Sequence, residues 1–163
     1  MIYKETPLDG VLEINLDSFI DFRGSYTEIY NEKLYSKFKI NFVQDDISIS
    51  RYSVLRGIHG DYKTWKLVTC LFGAFFLIVV DNRKDSKNFK KWTSFTLTDS
   101  NNKQILIPPG FGNGHQVLTE KAIFHYKQNT QYDRGSQFTI KYNDPELSLP
   151  WPIKNPILSE RDK

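Results

Sequence analysis

The chain has 163 residues, of which 39% are hydrophobic, 25% charged and 15% aromatic, and this composition predicts one globular domain, 1–163, with its own hydrophobic core. The net charge of +3 comes from 22 basic and 19 acidic residues. Because this charge is small and the basic residues are scattered, nucleic acid is excluded as the main partner.

No segment of the sequence predicts export or membrane insertion. Residues 1–11 are polar and contain no apolar signal core. The longest apolar run, 71–80, is too short to cross a bilayer and is interrupted by Gly73. A single cysteine, Cys70, excludes an intrachain disulfide and is expected to be a buried, unreactive thiol. We therefore expect a cytoplasmic protein with no membrane partner.

Short segments of β-type sequence alternate with turn-forming clusters along the whole chain. The predicted strands are 11–15, 26–30, 42–51, 66–81, 92–98, 103–107, 114–118, 122–129 and 138–142. Clusters of Gly, Pro, Asp and Asn residues separate them. Short strands at this spacing, in a chain rich in aromatic residues, are typical of a β-sandwich or a β-barrel.

Few segments predict a helix. Residues 31–39 place Leu34, Tyr35 and Phe38 at helical spacing and predict one short helix, and residues 99–104 are compatible with a helical turn. The C-terminal segment, 144–163, contains four prolines and is expected to be an ordered tail that packs on the body.

Several polar side chains fall on strand faces that should be buried. Arg56 alternates with apolar neighbours in the segment before His59, and an inward-facing Arg needs an anion. Lys66 shares a strand face with Val68 and Cys70. Tyr126 lies within an apolar strand. Each residue also has a structural interpretation, since His59 could be a satisfied structural histidine and Tyr126 a core or interface tyrosine.

Together these residue types are suited to proton transfer. A neutral imidazole is an effective base at neutral pH. A phenol can return a proton to a strongly basic enolate. A buried carboxylate would fix the histidine tautomer and stabilise the imidazolium ion. Sequence spacing does not establish that they converge.

A series of ordered motifs extends over nearly the whole chain. They are Asp21-Phe22-Arg23-Gly24-Ser25-Tyr26-Thr27-Glu28, Phe42-Val43-Gln44-Asp45-Asp46-Ile47-Ser48, Val54-Leu55-Arg56-Gly57-Ile58-His59, Lys66-Leu67-Val68, Ile107-Pro108-Pro109-Gly110-Phe111-Gly112, Tyr126-Lys127, and a C-terminal signature from Asn143 to Asp162. This series resembles the dTDP-4-dehydrorhamnose 3,5-epimerase family.

The resemblance implies an all-β, cupin-type jelly-roll barrel with one or two short helices, acting as a homodimer with a nucleotide site shared across the interface. It also implies an isomerase that inverts C3 and/or C5 of a nucleotide-linked 4-keto-6-deoxy sugar through an enolate, for surface polysaccharide synthesis. No metal and no cofactor is expected. C3-only inversion and a non-catalytic sugar-nucleotide binding cupin remain alternatives.

By the same resemblance, His59 is the base, Asp144 its carboxylate partner, Tyr126 the acid on the opposite face, and Lys66 the cation that stabilises the enolate. Substrate-binding roles are implied for eight further residues. Arg56 would hold the diphosphate, Gln44 and Asp46 would lie near the nucleobase, and Arg23, Tyr26 and Glu28 would reach into the partner subunit's site, with Asn113 and His115 also facing the substrate.

Departures from the family pattern raise the question of substrate. Gly60 and Asp61 replace the usual Tyr-Gln pair after the histidine, and the following loop is shorter than usual. Asn113 stands where the family has His, and His115 lies two positions later on the same strand face. Asp46 stands where the family usually has Asn.

The stretch 56–70 is most similar to a subgroup acting on GDP-linked 4-keto-6-deoxy-heptoses. Asp46 could accept from both N1–H and the 2-amino group of guanine, and the missing side chain at Gly60 would leave room for a larger sugar. GDP or dTDP, and hexose or heptose, therefore remain open.

Two other cupin activities are less compatible with the sequence. A metal-dependent dioxygenase or isomerase needs two or three His and a carboxylate around one ion, whereas His59-Gly60-Asp61 replaces a His-x-His pair. A sugar-nucleotide 3,4-ketoisomerase typically uses neighbouring His residues in one strand, and the chain has none.

Overall fold

A computed structural model describes all residues, 1–163, and is built almost entirely from antiparallel strands. The strands are β1 (Ile2–Glu5), β2 (Leu12–Asn15), β3 (Ser18–Asp21), β4 (Gly24–Thr27), β5 (Gln44–Arg51), β6 (Leu55–Gly60), β7 (Lys66–Phe72), β8 (Ala74–Asp81), β9 (Trp92–Thr98), β10 (Lys103–Ile107), β11 (Phe111–Val117), β12 (Lys121–Gln128) and β13 (Phe138–Thr139). Helix α1 (Glu32–Tyr35) runs into a 3-10 turn, Ser36–Phe38, and a second 3-10 turn spans Arg134–Ser136.

Two sheets stack face to face. One has the strand order β1-β2-β10-β7-β12-β5 and the other β13-β6-β11-β8-β9, while β3 and β4 form a separate hairpin. Strands β5, β12, β7 and β10 face β6, β11, β8 and β9. Except for the pairs β1–β2 and β8–β9, neighbours within these two sheets are not consecutive in sequence. This is the jelly-roll arrangement, and the predicted all-β class with short helices is confirmed.

The main hydrophobic core fills the space between the two sheets. It includes Val68 and Phe124 from the six-stranded sheet, and Phe75, Leu77 and Val79 from the five-stranded sheet. Their alternation with outward residues follows from the two-residue period of a strand. Cys70 belongs to this core, so the expected burial of its thiol is confirmed, and this burial raises the pKa of the thiol to about 12.

Peripheral segments cover the outer faces of both sheets. Tyr35 of α1 packs with Ile14, Leu67 and Leu106 on the outside of the six-stranded sheet. Leu147, in the C-terminal tail, packs against the outside of the five-stranded sheet. The expected ordered tail is therefore confirmed, and its course brings the last residues of the chain back to the barrel.

The structure differs from the predicted elements at several places. The segment predicted as one strand, 66–81, is a hairpin that turns at Gly73, whose φ is +73° and where a Cβ atom would lie 2.2 Å from the Lys121 carbonyl oxygen. In the segment predicted as a helical turn, 99–104, residues 99–102 form a non-helical turn and residues 103 and 104 begin β10. Strands β1 and β3 were not predicted, because neither shows an alternation of buried and exposed residues.

No helix of the structure is long and apolar enough to cross a membrane.

Candidate active site

A cavity of about 200 Å³ opens between the two sheets. Six of the predicted site residues line it: Arg56 and His59 from β6, Lys66 from β7, Asn113 and His115 from β11, and Tyr126 from β12. Four strands drawn from both sheets therefore bring these side chains together, which sequence spacing alone could not establish.

His59 is paired with a carboxylate from the C-terminal tail. Its Nε2 atom lies 2.7 Å from Oδ1 of Asp162, whose side chain is 3% exposed. Burial acts to raise the pKa of Asp162, but hydrogen bonds from His59 and Ser159 outweigh it and hold that pKa below its ordinary value. Asp162 is therefore ionised at neutral pH.

The expected partner of His59, Asp144, was assigned wrongly. Its carboxylate instead accepts a hydrogen bond from the backbone amide of Glu146 at 2.9 Å, and its carbonyl accepts from Leu147 and Ser148. Asp144 precedes a proline and begins a turn, a common role for Asp. Asp162 closes the motif that carried the resemblance, but no role had been assigned to it.

The contact with Asp162 defines which nitrogen of His59 is basic. An ionised carboxylate only accepts hydrogen bonds, so Nε2 of the neutral imidazole must carry the proton. Nδ1 then keeps a free lone pair, in a side chain that is 21% exposed and lines the cavity. The pair has the arrangement of a general base supported by an orienting carboxylate.

Lys66 is a buried cation next to this base. Its Nζ donates a hydrogen bond to Oδ1 of Asn113 at 3.2 Å and lies 5.9 Å from the ring centre of Tyr126. The pKa of Lys66 is lowered to about 8, chiefly by burial; the negative charge of Asp61 opposes this shift, and the positive charge of Arg161 adds to it. The amine is thus still largely protonated at pH 7, and an anionic ligand would stabilise its charge.

Tyr126 remains a protonated phenol. Burial raises its pKa well above the ordinary value. Asp46, which lies directly opposite it in the β5–β12 ladder, raises this pKa further. Tyr126 can therefore act as a proton donor at neutral pH.

Arginine side chains surround an opening that adjoins the cavity. Arg56, Arg134 and Arg161 line it together with His59 and Asp162. Arg56 also donates from Nε to Oγ of Ser50 at 3.0 Å. Such a cluster is suited to a diphosphate, which guanidinium groups bind with paired hydrogen bonds.

The sequence analysis overlooked several residues around these openings. Tyr132 and Gln137 line the cavity, and Arg134 and Arg161 line the adjoining opening. Arg161 stands beside Asp162 in the C-terminal signature, so that motif was a signal for it. The other three lie in a polar segment without regular periodicity, where no pattern marks them.

Gln44 and Asp46 contact each other and neither lines the cavity. Gln44 donates from Nε2 to Oδ2 of Asp46 at 2.8 Å and accepts from the backbone amide of Tyr132 at 2.8 Å. Gln128 donates to the same Asp46 oxygen at 3.3 Å. The carboxylate that we expected to contact guanine is therefore engaged by side-chain amides.

Arg23, Tyr26 and Glu28 do not reach the cavity of their own protomer. They lie on or next to the exposed β3–β4 hairpin, where Arg23 forms a salt bridge with Asp21 at 2.5 Å. Within one chain these residues therefore form part of an exposed surface and do not contribute to the cavity.

Gly60 does not provide space for a larger sugar, contrary to expectation. A Cβ atom there would lie 2.1 Å from the Phe111 carbonyl oxygen and 2.7 Å from the Phe138 ring, so protein already fills the volume. Asp61 is buried and accepts from the amides of Lys63 and Thr64. Gly60 and Asp61, which depart from the family pattern, therefore determine the conformation of the loop that follows His59.

No group of three or more His, Cys, Asp or Glu side chains is arranged to hold a metal ion. The metal-dependent cupin alternative thus lacks a ligand set in this chain.

Comparisons with known proteins were made for both sequence and structure. A sequence profile described as dTDP-4-dehydrorhamnose 3,5-epimerase matches residues 5–163. The dTDP-4-dehydrorhamnose 3,5-epimerase of Shigella flexneri is 38% identical over 164 residues, which cover 97% of this chain and 91% of the relative.

Two crystal structures are similar over almost the whole chain. The dTDP-4-dehydrorhamnose 3,5-epimerase from Elizabethkingia anophelis NUHP1 has a TM-score of 0.90 and 40% identity, covering 99% of this chain and 93% of that one. The dTDP-6-deoxy-D-glucose-3,5-epimerase from Legionella pneumophila Philadelphia 1, in complex with dTDP-4-keto-L-rhamnose, has a TM-score of 0.94 and 35% identity, covering 99% and 89%.

Proposed function

This chain belongs to the dTDP-4-dehydrorhamnose 3,5-epimerase family, and we propose that it inverts C3 and/or C5 of a nucleotide-linked 4-keto-6-deoxy sugar. One observation carries the proposal: a His59–Asp162 pair, a buried Lys66 and a protonated Tyr126 meet around one cavity. These are the groups that a proton abstraction next to a ketone needs, because the reaction passes through an anion.

The first step removes a proton from carbon. The C4 ketone acidifies the hydrogens on C3 and C5, and Nδ1 of His59 takes one of them. The C–H electron pair becomes the enolate, and its negative charge collects on the former ketone oxygen. Asp162 stabilises the imidazolium ion that results.

The second step returns a proton to the opposite face. Lys66, held by Asn113, supplies a preorganised positive charge near the enolate oxygen. The Tyr126 phenol then donates its proton to the same carbon, and the resulting phenolate recovers a proton after His59 releases its own. Carbon is neither oxidised nor reduced, so the step requires no electron acceptor.

The number of inverted carbons depends on whether the sugar ring flips within the cavity. A flip presents the second carbon to the same His59 and Tyr126 pair, which gives a 3,5-epimerase. A pocket that prevents the flip gives a 3-epimerase, the alternative activity.

Two nucleotides are candidates for the activating group. The complex of the Legionella relative with a dTDP sugar supports dTDP. The similarity of residues 56–70 to a GDP-heptose subgroup supports GDP, although two side-chain amides already donate to Oδ2 of Asp46, the residue expected to contact guanine. Equilibrium dissociation constants for GDP and dTDP decide between them, and tighter dTDP binding would eliminate GDP.

The diphosphate fits the cluster formed by Arg56, Arg134 and Arg161. Placing it there orients the attached sugar towards His59 and Lys66, which line the same region. Two of these arginines extend the binding role that the resemblance implies for Arg56.

A homodimer is part of the proposal. Strand β5 is an edge of the six-stranded sheet. Ile47 and Ile49 on its outward face, and Val43 just before the strand, are each more than half exposed. Such a strand favours pairing with a second chain. A dimer through this edge would let Arg23, Tyr26 and Glu28 act in the partner's nucleotide site. Sedimentation equilibrium of the wild type and of an Ile49→Asp variant tests this, with a monomeric wild type as the opposing result.

A cytoplasmic location and a supply of sugars for surface polysaccharides complete the proposal, and the second is implied by the resemblance.

Proton exchange in D₂O is the decisive experiment. The protein is incubated with a dTDP-linked and, separately, a GDP-linked 4-keto-6-deoxy sugar, and the C3 and C5 protons are followed by NMR. Exchange at both carbons is expected for a 3,5-epimerase, and exchange at C3 alone identifies a 3-epimerase. Absence of exchange with nucleotide still bound would replace the proposal with the non-catalytic binding role.

A further inference from the structure

Two side chains that line the cavity each contain a buried polar atom without a hydrogen-bond partner. The two atoms are Nε2 of His115, in a side chain on β11, and Oγ of Ser48, on β5. A polar atom buried without a partner is costly, and proteins rarely leave one on a cavity wall unless another group completes it. The proton-transfer steps proposed above use neither residue.

Phe124 is a neighbour of both side chains. Ser48 lies directly opposite Phe124 in the β5–β12 ladder. The imidazole of His115 stacks on the Phe124 ring with centroids 4.1 Å apart and planes 7° from parallel. Phe75 packs against His115 from another direction, with centroids 5.3 Å apart. The histidine ring is therefore packed against two aromatic rings, which restrict its orientation.

The chemistry of the pair defines what it can bind. Burial lowers the pKa of His115 to about 3, and the positive charge of Arg56 adds to the effect. The imidazole is therefore neutral at physiological pH, and it offers an anion no charge. A neutral imidazole nitrogen and a serine hydroxyl are matched by a neutral group that can both donate and accept, which is a hydroxyl.

The position of the pair points to the sugar. His115 and Ser48 share the cavity with His59, Lys66 and Tyr126, whereas the arginine-rich opening lies next to it. A ligand whose diphosphate contacts the arginines and whose reacting carbon contacts His59 would place only its sugar beside the pair.

We propose that His115 and Ser48 form a binding site for one hydroxyl group of the substrate sugar and act as specificity-determining residues. This inference rests on the proposed function and adds to it which group of the sugar is recognised. The hydroxyl is either the ring hydroxyl on C2 or one carried by the side chain on C5.

The test measures binding of unreactive sugar nucleotides, in which a C4 hydroxyl replaces the ketone so that no proton can be removed. Dissociation constants are measured by calorimetry for three ligands with the preferred nucleotide: a 6-deoxyhexose, its 2-deoxy analogue, and a sugar with a hydroxyl on the C5 side chain. The variants are His115→Phe and Ser48→Ala. His125→Phe is the matched control, since it removes a buried imidazole whose unpaired Nδ1 lies outside this cavity.

We expect His115→Phe and Ser48→Ala each to weaken binding of the hydroxyl-bearing ligand roughly 10-fold, with the nucleoside diphosphate alone bound as in the wild type. The ligand lacking that hydroxyl should bind the variants and the wild type equally. If the wild type binds the 2-deoxy analogue more weakly than the 6-deoxyhexose, the recognised group is the C2 hydroxyl. If the wild type binds the sugar with the C5 side-chain hydroxyl more tightly than the 6-deoxyhexose, the recognised group is that side-chain hydroxyl.

Unchanged affinity of both variants for every ligand would overturn the inference, as would an equal loss for ligands with and without the hydroxyl. If His115→Phe fails to fold, Ser48→Ala alone gives the result. Because the ligands do not react, these outcomes are independent of the proton-exchange experiment, and failure of the proposed epimerase activity is seen separately.

Discussion

Asp162 lies 103 residues after His59 in the chain, yet its Oδ1 accepts a hydrogen bond from His59 Nε2 at 2.7 Å. The C-terminal tail makes this contact by returning to β6, where Leu55 donates its backbone amide to the carbonyl of Ile157. The last turn of the chain therefore supplies the orienting group of the base.

Replacing Asp162 tests that relationship against a matched aspartate. We expect Asp162→Asn to slow proton exchange by roughly 10²-fold, because an amide can present its NH₂ group to Nε2 and favour the wrong tautomer of His59. Asp144→Asn should stay near the wild-type rate, since that side chain only accepts from a backbone amide in a turn. Rates are measured by NMR in D₂O, and equal slowing of both variants would argue against the assignment of Asp162.

Replacing the base itself should affect rate without affecting nucleotide binding. We expect His59→Asn to lower turnover by roughly 10²-fold or more. Binding of the nucleoside diphosphate should be nearly unchanged, because the arginine cluster remains intact. Calorimetry and a coupled turnover assay measure the two quantities, and near-wild-type turnover would remove His59 from the role of base.

Tyr126→Phe should separate exchange from inversion. His59 and Lys66 remain in this variant, so a proton can still leave carbon and return from the same face. We expect deuterium to enter the C3 or C5 position while the inverted product is lost. NMR in D₂O distinguishes the two results, and full inversion by the variant would show that another group donates the proton.

The pH dependence of kcat/KM should show an alkaline limb set by Lys66. The pKa of this amine is lowered to about 8 by burial, and enolate stabilisation requires its protonated form. On the alkaline side of the profile, the rate should therefore fall as pH rises through about 8.

Lys66→Arg provides the control for this limb, because a guanidinium remains charged throughout the range. Its rate should be lower overall, while its alkaline limb should move to higher pH or disappear. A wild-type profile that stays flat to pH 10 would contradict a role for the Lys66 charge.

Gly60→Ala should destabilise the fold. The added Cβ would meet the Phe111 carbonyl at 2.1 Å, and overpacking of this kind costs about 2 kcal/mol. Gly135→Ala is the matched control, because its Cβ would approach only the Asp133 side chain at 3.3 Å. Urea unfolding measures both, and an unchanged midpoint for Gly60→Ala would restore the idea of free space beside His59.

The sequence predicted the strands that alternate clearly and end at turn residues. Strands β9 and β10 have the predicted bounds, because turn-forming residues at 99–102 separate two segments of β-type sequence. Segment 66–81 was predicted as one strand because both halves are buried and apolar, and only the tight approach at Gly73 shows the hairpin. Local periodicity does not report such an approach.

The sequence by itself determined the family, the all-β class and six of the side chains that meet in the cavity, because ordered motifs and strand alternation are properties of residue order. Only the tertiary structure decided that Asp162 and not Asp144 supports His59, that Asp46 is engaged by amides, and that His115 and Ser48 lack partners. Hydrogen bonding and burial depend on which distant segments meet, and in this jelly roll most neighbouring strands are not consecutive in sequence.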